Sequence, residues 1–118
     1  MDALDDLNIE AESLLSGIDM DIDDFEEACD FIENHVDLLC TTEEDKTQFF
    51  NVYMSLKIYF FIFSNHLSEQ HKWVEAFEGN EFQLQQCIYR LRAMKVEMKG
   101  VLEKVIQIKF VVESKLAN

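Results

Sequence analysis

The clearest pattern lies in the last third of the chain. Leu84, Cys87, Leu91, Met94, Met98, Val101, Val105, Ile108 and Val112 follow one another at alternating steps of three and four. Such a stripe marks one face of a long α-helix, because side chains three and four apart lie above one another. Ile88, Leu102 and Leu116 widen the stripe, which suits a helix with more than one neighbour. The middle third repeats the pattern with Phe49, Tyr53, Leu56, Phe60, Phe63 and Leu67, then Val74 and Phe77 after a polar break at Gln70. The first third carries two shorter seams offset by one residue. Leu4, Leu7, Ala11, Leu14 and Ile18 form the first; Ile22, Phe25, Cys29, Ile32, Val36 and Leu39 form the second.

Boundary signals divide these stripes. Thr41-x-x-Glu44 reads as a capping box ahead of the middle helix. Gly79 reads as a left-handed stop, and Asn80, with Gln83 three residues on, as the cap of the final helix. Gly17 and the aspartates at 19, 21, 23 and 24 favour a break or kink within the first third over one helix continuing through it. The expected fold is all-α. It has an acidic N-terminal segment 1–24, forming a short extra helix, and long helices over about 25–40, 42–78 and 80–116. Short connections favour one up-down-up antiparallel bundle, each long helix spanning roughly 50 Å at 1.5 Å per residue. A coiled coil completed by partner chains is the rival arrangement.

Composition agrees. Of 118 residues 48% are hydrophobic, none is proline and three are glycine, which leaves few turn formers for a sheet-rich fold. Charge changes the picture more. The net charge is −14, and residues 1–45 hold 17 acids with no Lys or Arg. The rest holds 24 − 17 = 7 acids against 10 bases. The first third either attracts the remainder or forms a solvated acidic face, and direct nucleic-acid binding through it is not expected, for want of phosphate-pairing cations.

The acidic start, Met1 to Asp6, is unlike a secretory signal. Phe49 to Phe63 is too short and too polar, with Asn51, Ser55 and Lys57, for a transmembrane segment. Cys29, Cys40 and Cys87 have no framework spacing and read as reduced, partly buried thiols of a cytoplasmic protein.

Candidate chemistry is sparse. Asp19, Asp21 and Asp23 resemble the first ligands of a calcium loop. However, Asp24 stands where glycine must turn the chain, Glu26 where an apolar residue belongs, and Asp30 where a bidentate glutamate is needed. His35, His66 and His71 share no metal-ligand spacing with the cysteines. No phosphate loop or nucleophile elbow is present. Neither an enzyme nor a metal or cofactor is expected.

The aromatic stretch is the most informative feature. Tyr59, Phe60, Phe61, Ile62 and Phe63 are apolar around the whole circumference of a helix, more than one neighbour can cover. One reading makes this a central helix touched by both others. The other makes it an aromatic docking patch, since aromatic residues dominate binding hot spots. Tyr59, Phe61, Phe63, Trp73 and Phe77 are the partner-binding candidates.

Asp30-Phe31-Ile32-Glu33-Asn34-His35, Thr42-Glu43-Glu44-Asp45-Lys46 and Phe50-Asn51-x-Tyr53-x-Ser55-Leu56 together are similar to the central stretch of BART domains. These are helical domains that bind Arf-like small GTPases, so the resemblance implies a GTPase effector. The spacing from the Glu-Glu to the Phe-Asn pair is shorter than in that family, and the final heptad helix is longer. No binding residue is carried over. The sequence as a whole favours a helical interaction module, an adaptor or subunit of a hetero-oligomeric assembly with helical protein partners. A GTPase effector and an acidic decoy of a basic nucleic-acid-binding surface are the alternatives.

Overall fold

The computed structural model describes residues 3–117, apart from the side chain of Leu39. Met1, Asp2 and the seam position of Leu39 therefore lie outside the described residues. Four helices and no strand occur among them: α1 (Ala3–Asn34), α2 (Val36–Leu39), α3 (Glu43–Ala76) and α4 (Glu81–Ala117). The principal extents are 59 × 25 × 17 Å, so the bundle is as long as its longest helix. Cross-helix pairs set the directions. Lys57 meets Glu33, and His71 meets Asp19, so α3 runs against α1. Arg92 meets Glu10, and Lys109 lies over the Phe31 ring, so α4 runs alongside α1. The architecture is the expected up-down-up bundle.

Two expectations for the first third are corrected. There is no break at residues 17–24, and α1 continues through them as one helix. The two seams join through Leu14, Ile18, Ile22 and Phe25, spaced four, four and three. That eleven-residue run averages 3.67 residues per turn, close enough to a helix to carry the stripe onward without a kink. At Gly17 a Cβ would meet only the end of the flexible Lys95 side chain, which can swing aside, so packing does not require glycine there. The predicted helix 25–40 in turn ends at Asn34, and α2 follows after His35. The His35 ring Nδ1 lies 2.8 Å from the Phe31 carbonyl oxygen.

Capping is shifted at one end and confirmed at another. Thr42, not Thr41, caps α3, its Oγ1 accepting from the Asp45 amide at 3.1 Å. At the other end no described glycine has positive φ, so Gly79 is not a left-handed stop. The chain turns because the Asn80 amide donates to the Phe77 carbonyl at 2.9 Å, which needs no left-handed residue. Asn80 caps α4 as expected, its Oδ1 accepting from the Gln83 amide at 3.0 Å.

The core follows the stripes. Ala11, Leu15, Ile18, Phe25, Ala28, Cys29 and Ile32 from α1 are buried with Leu84, Cys87, Leu91, Met98, Leu102 and Val105 from α4. These two helices are the closest pair, and α3 stands further from both. Alanine at 11 and 28 lets α1 and α4 approach, since interaxial distance depends on the side chains between. On the α3 side large rings act as spacers. Phe25 of α1 stacks on Phe60 of α3 at 4.3 Å between centroids, while Phe49 and Tyr53 stack on each other within α3 at 5.4 Å. Leu116, expected to widen the α4 stripe, is exposed beyond the reach of its neighbours.

The attraction between the first third and the rest takes the form of discrete pairs. Glu10–Arg92, Glu33–Lys57 at 2.7 Å and Asp37–Lys46 at 3.2 Å each join an early acid to a later base. All are exposed enough for each to contribute only about 0–1 kcal/mol.

Two buried polar groups lead to tests. Gln70 is not a break in the seam but part of it, 6% exposed, with its Oε1 unpartnered among the described residues. A buried acceptor without a donor costs about 1–3 kcal/mol, so Gln70→Leu should stabilise by that order in urea unfolding. The Tyr53 hydroxyl donates to the Cys29 carbonyl at 3.2 Å, and burial pushes its pKa well above the ordinary phenol value. The folded state therefore keeps this proton after the unfolded chain loses it near pH 10. Stability from this group is complete below pH 10 and falls above it, by up to about 1.4 kcal/mol per pH unit. Tyr53→Phe should be weaker at pH 8, lacking the hydrogen bond, but should lose less on going from pH 9 to 11 in denaturant titrations.

Candidate functional site

Spacing α3 away from α4 with large side chains leaves a groove between them. One stretch of it encloses about 760 Å³. Val52, Leu56 and Tyr59 line one wall, and Gly100, Val101, Lys104 and Ile108 the other. The walls are mainly apolar. The Tyr59 hydroxyl donates to Glu97 Oε2 at 2.9 Å across the cleft, which ties the two helices together at this point. Partial burial, and then this hydrogen bond, push the Tyr59 phenol up.

Further along, the same helix pair forms a second stretch of about 500 Å³ around His66, Trp73, Tyr89, Arg90 and Ala93. Trp73 also borders a third stretch, with Phe77, Gln83, Gln86 and Arg90. The Arg90 guanidinium lies 5.2 Å from the Trp73 ring centroid, a cation–π contact that holds the indole against the α4 rim. The α3 wall has a simple logic. Val52, Tyr59, His66 and Trp73 are seven apart, so they recur on one side of the helix, next to its core stripe. The opposing wall uses small residues, Ala93 and Gly100, which keep the cleft open. A Cβ at Gly100 would meet no atom within 4 Å, so packing inside the chain does not require glycine there.

Of the five candidates read from the sequence, the structure brings three to this groove: Tyr59, Trp73 and Phe77. Phe77 is half-buried at the end of α3, whereas Tyr59 and Trp73 are 41% and 38% exposed. Phe61 is 67% exposed but stands on a different side of α3. Phe63 is corrected outright. It is 5% exposed and belongs to the core, so no partner can reach it. The aromatic stretch divides: Phe60 and Phe63 pack inward, as the central-helix reading expects, and Tyr59, Phe61 and Ile62 face outward. Sequence reasoning missed the α4 wall. The available signal was Gly100, a helix-interior glycine among strong helix formers, aligned with Ala93 seven residues before it.

The remaining chemistry is quiet. Burial pushes the thiols of Cys29, Cys40 and Cys87 up, and all three are free and buried. The aspartates at 19, 21 and 23 are helical, so they do not form a loop around an ion. No cluster of three or more metal-ligating side chains occurs among the described residues. Nor is any described helix long and apolar enough to cross a membrane.

Comparison with protein-family models, curated proteins and solved structures finds no match, and the likeness of residues 30–56 to BART domains is not accompanied by a family match.

Gly100→Ala should raise thermal stability by about 1 kcal/mol, because alanine is the better helix former and finds free space. Its methyl would intrude on the groove. Differential scanning calorimetry checks the stability effect.

Proposed function

We propose that this chain is a non-catalytic protein-interaction module, an adaptor or subunit of a larger intracellular assembly. Its groove between α3 and α4 accepts a helix from another protein. The observation that carries this reading is a pair of mainly apolar clefts along the same α3–α4 seam, one at Val52 and Lys104 and one at Trp73 and Arg90, each flanked by exposed aromatic rings.

The length fits such an occupant. From residue 52 to 73 a helix advances about 30 Å, which an amphipathic helix of roughly 20 residues matches. Apolar positions of the incoming helix, spaced at three, four and seven, would cover Val52, Leu56, Ile108 and Met94. Tyr59 and Trp73 would serve as anchors, since they offer large rigid area at low entropic cost. The rim is mixed in sign, with Lys104 and Arg90 beside Glu97 and Glu69. Charge there selects register and partner more than it adds affinity. Docking would complete a four-helix bundle, the commonest way to bury a second stripe on each of two antiparallel helices.

The acidic first third has a packing role in this reading. Its Ala11, Leu15 and Ile18 are core residues, so it is a structural helix with an acidic outer face. No specific feature favours the decoy or GTPase-effector alternatives.

The test is affinity capture on tagged full-length protein, with mass-spectrometric identification of what is retained. Trp73→Ala and Tyr59→Ala should each weaken retention of a specific partner at least about tenfold, the effect of removing a hot-spot ring. Circular dichroism should remain unchanged. Equal retention by wild type and both variants would place the partner elsewhere and defeat the groove assignment.

A further inference from the structure

The side of α3 away from the groove carries a second apolar surface. Phe50, Met54, Ile58 and Phe61 follow one another at steps of four, four and three, and Ile62 adjoins them. Each of the five exposes between 40% and 67% of its surface. We propose that this ridge is where a second copy of the chain packs, ridge against ridge, to give a homodimer. The proposal extends the interaction-module reading but uses a different face of α3, so the two can fail separately.

Charge argues for a copy of the chain over a foreign partner. Each chain carries a net charge of −14, and two copies therefore repel wherever acids face each other. The ridge is where they do not. Residues 47–68 contain a single charged side chain, Lys57, and it is already paired with Glu33 at 2.7 Å. A two-fold contact sets the same patch against itself, so the patch must be self-complementary. An uncharged apolar stripe meets that condition, and the acidic outer face of α1 does not. A basic partner would be drawn to α1 instead, because the ridge offers it no carboxylate.

Area argues the same way. The five side chains expose on the order of 500 Å² of apolar surface, at the upper end of what a monomer leaves open. A stable complex buries about 800 Å² per partner, most of which this ridge supplies before its polar margins are added. The margins are mostly short and neutral: Asn51, Asn65 and Ser68 are exposed, and the one charged group beside them, Lys57, is compensated by Glu33.

Sedimentation equilibrium on the full chain, from about 1 µM to 1 mM, tests the proposal. The expected mass is twice the 13.9 kDa of one chain. Association should tighten between 0.05 and 0.5 M NaCl, because salt screens the repulsion of the acidic bodies and leaves the apolar contact intact. Ile58→Glu combined with Phe61→Glu should raise the dimer dissociation constant at least roughly 100-fold, with helicity by circular dichroism retained. The milder pair Met54→Gln and Ile58→Gln should give an intermediate effect. Trp73→Ala, in the groove, should leave the dimer unchanged. A single-chain mass throughout the concentration range overturns the proposal, as does a dimer indifferent to both ridge variants. Loss of the dimer in Trp73→Ala also overturns it, since the copy would then sit in the groove. Partner capture that depends on Trp73 by a chain that never dimerises would leave the groove reading standing and remove only this one.

Discussion

The close parallel packing of α1 on α4 is the contact on which everything else depends. Neither helix is stable alone in water, because a single helix gains too little from its own hydrogen bonds to offset chain entropy. Their stripes solve this together. Ile18, Ile32, Leu84, Leu91, Met98 and Val105 are almost completely buried, and each contributes on the order of 1.5–3 kcal/mol relative to exposure. Alanine at 11 and 28 brings the two backbones near. This pair forms the rigid floor onto which α3 is laid.

The character of α3 follows from how it rests on that floor. Its inward residues are mostly rings, and rings stacked on rings keep a helix further away than aliphatic side chains would. Phe60 of α3 on Phe25 of α1 is such a spacer. The cost of the wider spacing is an incompletely closed seam with α4, and that seam is the groove. The same elevation lifts the outer half of α3 into solvent with its apolar side chains uncovered. A fold that buried everything would have placed small residues beneath α3 and polar ones above it.

Electrostatics contributes arrangement more than stability. The early acids reach the later bases across the bundle, and the exposed pairs Glu33–Lys57 and Asp37–Lys46 restrict which way α3 can lie. The segment from 47 to 68, whose single charge on Lys57 is paired with Glu33, then becomes the least repulsive part of a strongly acidic surface.

Periodicity by itself determined the helical class, the α4 stripe from Leu84 to Val112, the seam of α3, and the Asn80 cap, because all of these depend on neighbours within a few residues along the chain. It misled where two local signals competed. Gly17 and the aspartates suggested a break, yet a four-four-three run of apolar residues kept α1 continuous, since burial along a whole face outweighs weak propensities at single positions. Gln70 looked like an interruption and is instead buried, because polarity alone does not show which way a side chain will face. Periodicity also set Phe63 on the α3 seam and Phe61 off it, which matches their burial. Only the tertiary structure decided that Tyr59, Trp73 and Gly100 border one cleft. Residues on two different helices come together only when the distance between those helices, set by side chains far away in the chain, fixes which faces meet and which are left to solvent.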